Sequence, residues 1–370
     1  MNGTDRIVIE GVGAVGGFGC GVSDLTRALT GSACSPGTLA LSAGSGTVTI
    51  PAFRADVSRL EEFLPVRTLR RIDHFSRLGL LGSYLALADA DLPEAERPRL
   101  GIIIASGYGA TGMTFAFLKS LVDDGDVGAS PTCFASSVHN SAAAHISIQL
   151  GARGPNLTVS DDRLSVPSAL ATARIWLAEE RVQRVLFGAI DELSDLIGYI
   201  RHRTRDATPA APMTPLRTET ETAIPGEGAA FLLLAREGAS RGGYCTLDAS
   251  TTGSLPIPGV PFPETGLLVL GADGCRDSGR RYAAAARNAR VACYTPLYGS
   301  MPAGPAFDLA AAALIIKGGR VFPSPGGVSL DFPATVPADG EPVGADRISC
   351  LTLAGDEAYG LTTLGRVDSK

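Results

Sequence analysis

Four histidines (His74, His139, His145, His202) are all the imidazole this chain has, and none lies beyond residue 202. Cys133 and His139 stand close enough in sequence to suggest a thiol and a base, but no feature of the sequence around Cys133 would lower its pKa, and a thiol needs that to attack. Ser160 and Ser165 offer hydroxyl nucleophiles beside Asp161, Asp162 and Arg163, yet a hydroxyl without a positioned base is inert at neutral pH. His139 and His145, six apart around an expected helix start, read as hydrogen-bonded structural side chains. The seven cysteines are odd in number, widely spaced and contain no C-x-x-C pair, so neither a disulfide framework nor a metal site is expected. They read mostly as small buried hydrophobes.

The elements that would position these groups alternate along the chain. RIVIEGVGAVGGFG reads as strand and glycine-rich loop, with Ser23 as N-cap of the next helix. Gly11, Gly13 and Gly16 have dinucleotide-like spacing, but no helix opens on the third glycine, which argues against a nucleotide site. Helical spacing from Asp73 to Ala90 precedes the apolar run LGIIIASG, read as a buried strand. A helix from Gly112 to Val122, another from Ala142 to Leu150, a buried strand in GPNLTVSDD and a helix from near residue 163 follow. RVLFGAID is a further buried strand, a loop spans Arg201 to Ile224, and Gly228 to Ala235 is again a strand. From Tyr244 the alternation restarts, so two layered α/β halves are expected, 1–240 and 241–370, packed as one body.

Composition agrees with a globular chain: 370 residues, 45% hydrophobic and 19% charged. At about 150 residues per domain this length suits two fused halves. The net charge of −6 provides no field for nucleic acid or an anionic membrane. No apolar run reaches the roughly 20 residues of a spanning helix, and the start lacks a basic region followed by an apolar one, so a cytoplasmic location is expected.

Three stretches, GPNLTVSDDRLSVPSALATA, IPGEGAAFLLLARE and YTPLYGSMPAGPAFDLAAAALIIKGGRVFP, resemble in order and spacing segments of the β-ketoacyl synthases, the condensing enzymes of fatty acid and polyketide synthesis. RRIDHFSRLGLLGSYLAL and SVHNSAAAHISIQLGARGP look like the corresponding earlier stretches. The resemblance implies the thiolase fold, a five-layer αβαβα sandwich of two similar halves, with the dimer interface in the first. It also implies a Cys nucleophile at a helix start and two His residues from the second half. Counting nine residues on from Gly154, as the family pattern does, lands on Arg163, with no Cys within twenty residues on either side. Asp273 in GADGCRD stands at the first His position, Ser300 after Gly299 at the second, and Thr295 where the family has Lys. Arginine carries no nucleophilic atom, so a Cys-His-His site is not assembled.

A condensing-enzyme chain without these groups resembles the chain length factor, the noncatalytic partner of the ketosynthase in type II polyketide systems, and the shorter chain with its SVHN segment looks like the subunits of polyene-type reducing systems. Chain length factors usually have Gln at the nucleophile position, so Arg163 departs from the pattern, and it is expected to pair with Asp161, Asp162 or a partner chain. The resemblance implies a heterodimer with an active ketosynthase and contact with an acyl carrier protein. No cofactor or metal would be bound directly, and the carrier's phosphopantetheine would serve the partner. Met113, Phe115 and Phe117 read by default as core; through the resemblance they would line, with Cys133 and Phe134, an acyl tunnel at the dimer interface. Arg67, Arg70 and Arg71, and Arg201, His202, Arg203 and Arg205, would be carrier docking residues or else solvated faces. Two other functions remain open: an autonomous acyltransferase or hydrolase using Ser160, Ser165 or Cys133, and a structural homodimer that binds carrier protein.

Overall fold

The computed structural model describes residues 6–31, 34–43, 46–204, 212–257, 266–325 and 330–367. The first half contains β1 (Ile7–Gly16), β2 (Gly19–Cys20), α1 (Gly21–Leu29), the hairpin β3 (Gly37–Ala43) and β4 (Gly46–Ala52), α2 (Val66–Leu69) and α3 (His74–Asp89). It continues with β5 (Gly101–Ala105), α4 (Thr111–Gly128), α5 (Pro131–Ser136), α6 (Ser141–Leu150), β6 (Asn156–Val159), α7 (Ser165–Ala178), β7 (Arg184–Asp191), α8 (Asp195–Thr204) and β8 (Gly228–Arg236). The second half holds β9 (Cys245–Ser254), β10 (Leu267–Leu270), α9 (Arg276–Ala285), β11 (Arg290–Ala292), α10 (Gly304–Gly318), β12 (Arg347–Ala354) and β13 (Ala358–Gly365).

Among the described residues the main sheet runs β11-β10-β12-β13-β9-β1-β8-β7-β5-β6, with β2 paired to β1. Leaving β2 and the separate hairpin aside, each half lays down its five strands in the same spatial order: third, second, fourth, fifth, first. In both, the first two pairings along that order are parallel and the last two antiparallel. Among the described residues the strands of the two halves pair at two positions, Val8 with Thr246 and Ile9 with Cys245. Helix α3 covers the outer face of the first sheet and α9 packs on the second, while α7 and α10 each touch strands of both sheets. These are the five αβαβα layers. Of the central pair, α10 is buried along nearly its whole length, which requires apolar residues all round rather than one stripe.

Helix α3 shows how local sequence sets a layer. Asp73 caps it, accepting from Ser76 N at 2.9 Å. Its backbone lies so close to β1 that a Cβ at Gly13 would lie 2.2 Å from the Gly82 carbonyl oxygen. The glycine spacing that resembles a nucleotide loop therefore serves helix-on-strand packing. Pairing of β1 with β8 slips between Ile9 and Gly11, leaving Glu10 as an extra residue whose carboxylate takes Arg184 Nε at 2.7 Å.

Several expectations are corrected. Helix α1 begins at Gly21 with Cys20 as N-cap, so Ser23 lies inside its first turn and caps nothing. Strand β6 ends the sheet with Asn156 and Leu157 exposed, so GPNLTV is an edge strand and not a buried one. The loop expected from Arg201 starts later, because α8 runs through Thr204. Helix α4 extends to Gly128, with non-helical backbone at Gly125, and has no buried residue, so Phe115 and Phe117 do not belong to the core; Met113 is half-buried against it.

Candidate functional site

Three loops converge at the ends of the central helices. Arg163 follows β6 through a tight turn in which Asp162 has φ of +44°, and it lies just ahead of α7. Asp273 comes from the segment after β10 and Ser300 from the stretch before α10. Ser300 is fixed by main-chain pairing with the Ile224–Gly226 segment, donating its N–H to Ile224 O at 2.7 Å.

The Arg163 guanidinium and the Asp273 carboxylate form an ion pair, with side chains 15% and 2% exposed, and the Ser300 hydroxyl donates to the same carboxylate oxygen. Cys275 N (3.3 Å), Cys275 Sγ (3.4 Å) and Ser278 Oγ (3.3 Å) also approach Asp273. Burial alone would raise the Asp273 carboxyl pKa; Arg163, then the Ser300 hydroxyl and Arg201, overcome that and hold it well below the ordinary carboxylate range. Burial would likewise lower the Arg163 pKa, and Asp273 reverses this, so Arg163 stays charged. The expectation that Arg163 pairs with Asp161 or Asp162 is wrong, because its turn aims the guanidinium across to the second half. Arg163, Asp273 and Ser300 form a charged bridge, and a carboxylate so stabilised is a poor base for the Ser300 hydroxyl.

The neighbouring shell was not legible beforehand. Asp191, at the end of β7, accepts from Ser106 Oγ (2.9 Å), Gly107 N (3.1 Å), Tyr108 N (2.9 Å) and Ala303 N (2.7 Å). Burial raises its pKa to about 6, and those bonds only partly offset this. Beside it, Glu227 accepts from Arg54 Nε at 2.8 Å and lies 3.1 Å from His74 Nε2. The signal that could have found this shell is the Asp191–Glu192 pair closing the apolar run from Val185 to Ile190.

The other candidates are scattered. Ser165 is buried, accepting from Asp161 N at 2.7 Å within hydrogen-bond reach of the Ser106 and Asp162 carbonyls, and Ser160 is exposed. Thr295 donates to Ala272 O at 2.7 Å. Cys133 is half-buried on α5. His139 is exposed, and neither its imidazole nor that of His145 makes a side-chain hydrogen bond among the described residues, so both depart from the hydrogen-bonded role expected of them. Phe117 and Phe134 pack together with ring centroids 5.2 Å apart, on a face where Phe134 is 58%, Val122 81% and Val127 96% exposed. Arg67, Arg70, Arg71 and Arg203 are exposed, and His202 is half-buried. Arg201 turns inward, its guanidinium on the Tyr108 hydroxyl, while Arg205 lies outside the described residues. Cavities of about 670 and 710 Å³ lie elsewhere, around Asp248 and Arg347 and around Arg99 and Arg153. No group of side chains suited to a metal ion occurs among the described residues, and none of their helices is long and apolar enough to cross a membrane.

Residues 4–239 match the family model for the N-terminal domain of β-ketoacyl synthases. The chain belongs to the β-ketoacyl synthase family. A curated ketosynthase relative, 3-oxoacyl-[acyl-carrier-protein] synthase 2 of Vibrio harveyi, is 25% identical over 248 residues, covering 62% of this chain and 57% of the relative. The chain thus matches little more than half the length of that enzyme. Among solved ketosynthases, the ishigamide ketosynthase/chain length factor superposes with a TM-score of 0.80 at 17% identity, covering 98% of this chain and 99% of that one. A β-ketoacyl synthase from Burkholderia phymatum STM815 gives 0.76 at 16% identity, covering 98% and 100%. These likenesses give the ketosynthase fold end to end, the thiolase-type five-layer architecture described above.

Proposed function

We propose that this chain is a noncatalytic, chain-length-factor-like partner of an active β-ketoacyl synthase in type II polyketide biosynthesis, of the polyene-type reducing kind. One observation carries the reading: at the convergence of the three loops stand a guanidinium, a carboxylate and a hydroxyl, where a condensing enzyme needs a thiolate and two imidazoles. The partner would carry out decarboxylative Claisen condensation on acyl-carrier-protein thioesters, using the carrier's phosphopantetheine. This chain would complete the acyl tunnel and limit product length.

The exposed apolar surface of α4 and α5 and the free edge of β6 support an obligate interface, of roughly 2,000 Å² or more. Met113, Phe115, Phe117, Cys133 and Phe134 lie on or beside that surface and are the tunnel candidates. Arg67, Arg70, Arg71 and Arg203 remain exposed candidates for carrier docking. An autonomous acyltransferase or hydrolase gains no support from Ser165, which is buried among main-chain partners with no imidazole hydrogen-bonded to it among the described residues.

Coexpression with a ketosynthase of intact Cys-His-His type from the same gene neighbourhood tests the reading. A one-to-one complex is expected, in which acyl-loaded carrier protein adds mass to the partner alone. An acyl adduct on this chain, or failure to copurify, would sink it.

A further inference from the structure

We propose that the cluster of Arg163, Arg201 and Tyr108 is a receptor for a small carboxylate, with Arg201 as its principal contact. Arg201 comes from the last turn of α8 and is half-buried. Its guanidinium donates to the Tyr108 hydroxyl and lies 6.0 Å from that ring's centroid. A guanidinium has five N–H donors, and this one has a single neutral acceptor and no carboxylate partner among the described residues.

The nearby carboxylates are already committed. Asp273 serves Arg163, Ser300, Cys275 and Ser278, and Asp191 accepts four donors from Ser106, Gly107, Tyr108 and Ala303. The segment carrying Tyr108 is wedged between the two other loops: a Cβ at Gly107 would come within 3.3 Å of Asp162 O and 2.3 Å of Pro302 Cβ. Tyr108 thus feels the charge of both Arg201 and Arg163, and both charges reach Asp273. Both guanidiniums act on Asp273, and the other titratable groups around them are Tyr108, the Cys275 thiol, the Tyr282 phenol and Asp308, which Arg163 also reaches.

A half-buried cation short of acceptors is best satisfied by a planar oxyanion that takes two N–H donors at once. The inference concerns this chain's own loops and stands whether or not the partner reading holds.

The test uses the full chain as it purifies, alone or with its partner, and maps arginine modification by phenylglyoxal with and without succinate or acetate. Succinate at ten times its Kd is expected to slow modification of Arg201 about tenfold, with exposed Arg203 unchanged as the internal control. Chloride at matched ionic strength should give no protection, and Arg201→Gln should abolish the saturable rise in Tm with succinate. Equal protection by chloride, equal protection of Arg203, or an unchanged succinate response in Arg201→Gln would overturn the proposal. Protection by inorganic phosphate but not by carboxylates would overturn the carboxylate assignment. Because the mapping is done on the unaltered protein, a variant that fails to fold does not rescue the idea.

Discussion

The Arg163 guanidinium and the Asp273 carboxylate, 110 residues apart in sequence, close on one another and fasten the loop ahead of α7 to the loop after β10. The pair joins the two halves of the fold.

Removing one partner should expose how much the other depends on it. Arg163→Ala strands a buried carboxylate, with an expected loss of about 3 to 5 kcal/mol in chemical denaturation, and Asp273→Asn should recover part of it in the double variant. Additive losses would show that the two groups do not act as a pair. Because Asp273 titrates below its unfolded value, its contribution is present above the ordinary carboxylate range and fades as pH falls through the lower folded pKa.

Restoring a thiol at position 163 should not restore condensation. Arg163→Cys leaves Asp273 and Ser300 in place of imidazoles, so intact mass after exposure to acyl-loaded carrier should show no turnover by this chain. Full condensation by that variant would contradict the assignment of those two positions.

Asp191 should write its own pH signature. Its carboxyl titrates near 6 in the fold against about 3.9 unfolded, so the folded state binds more protons between those values. Its contribution is fully present below about 3.9 and is lost as pH rises through 6. Relative to Asp191→Asn, the wild type should lose stability between about pH 4 and 6 and stay level above, which Tm against pH would show.

The apolar face makes a prediction that separates folding from assembly. Phe134 is 58% exposed, so Phe134→Asp should change the stability of the chain by only about 0.5 kcal/mol. Copurification with the ketosynthase should nevertheless fail. Retained complex formation would move the interface elsewhere.

Much of the fold was legible because apolar runs and helical spacing are local: Arg184–Asp191 is the strand that RVLFGAID suggested, and α3 occupies the stretch read from Asp73 to Ala90. Position-by-position comparison also singled out Arg163, Asp273 and Ser300, which the fold gathers into one cluster. Their partners were not legible. Arg163 reaches past two adjacent aspartates to a third far along the chain, because turn geometry, not sequence distance, sets the direction of a side chain. Arg201 looked like one more surface cation in a basic run, and only the packing of α8 against α4 and the β3 strand directs it inward. The apolar residues of α4 carried the opposite ambiguity, since helical spacing cannot tell a face turned to the core from one turned to a partner.

The two central helices bear on both sheets at once, and among the described residues the strands of the two halves pair at two positions. Neither half therefore owns a complete core. A chain cut between β8 and β9 would leave each fragment's central helix bare on the side that packed against the other sheet, so hydrogen exchange should find the protected amides of both halves opening together, as a single cooperative event, despite a topology that repeats itself.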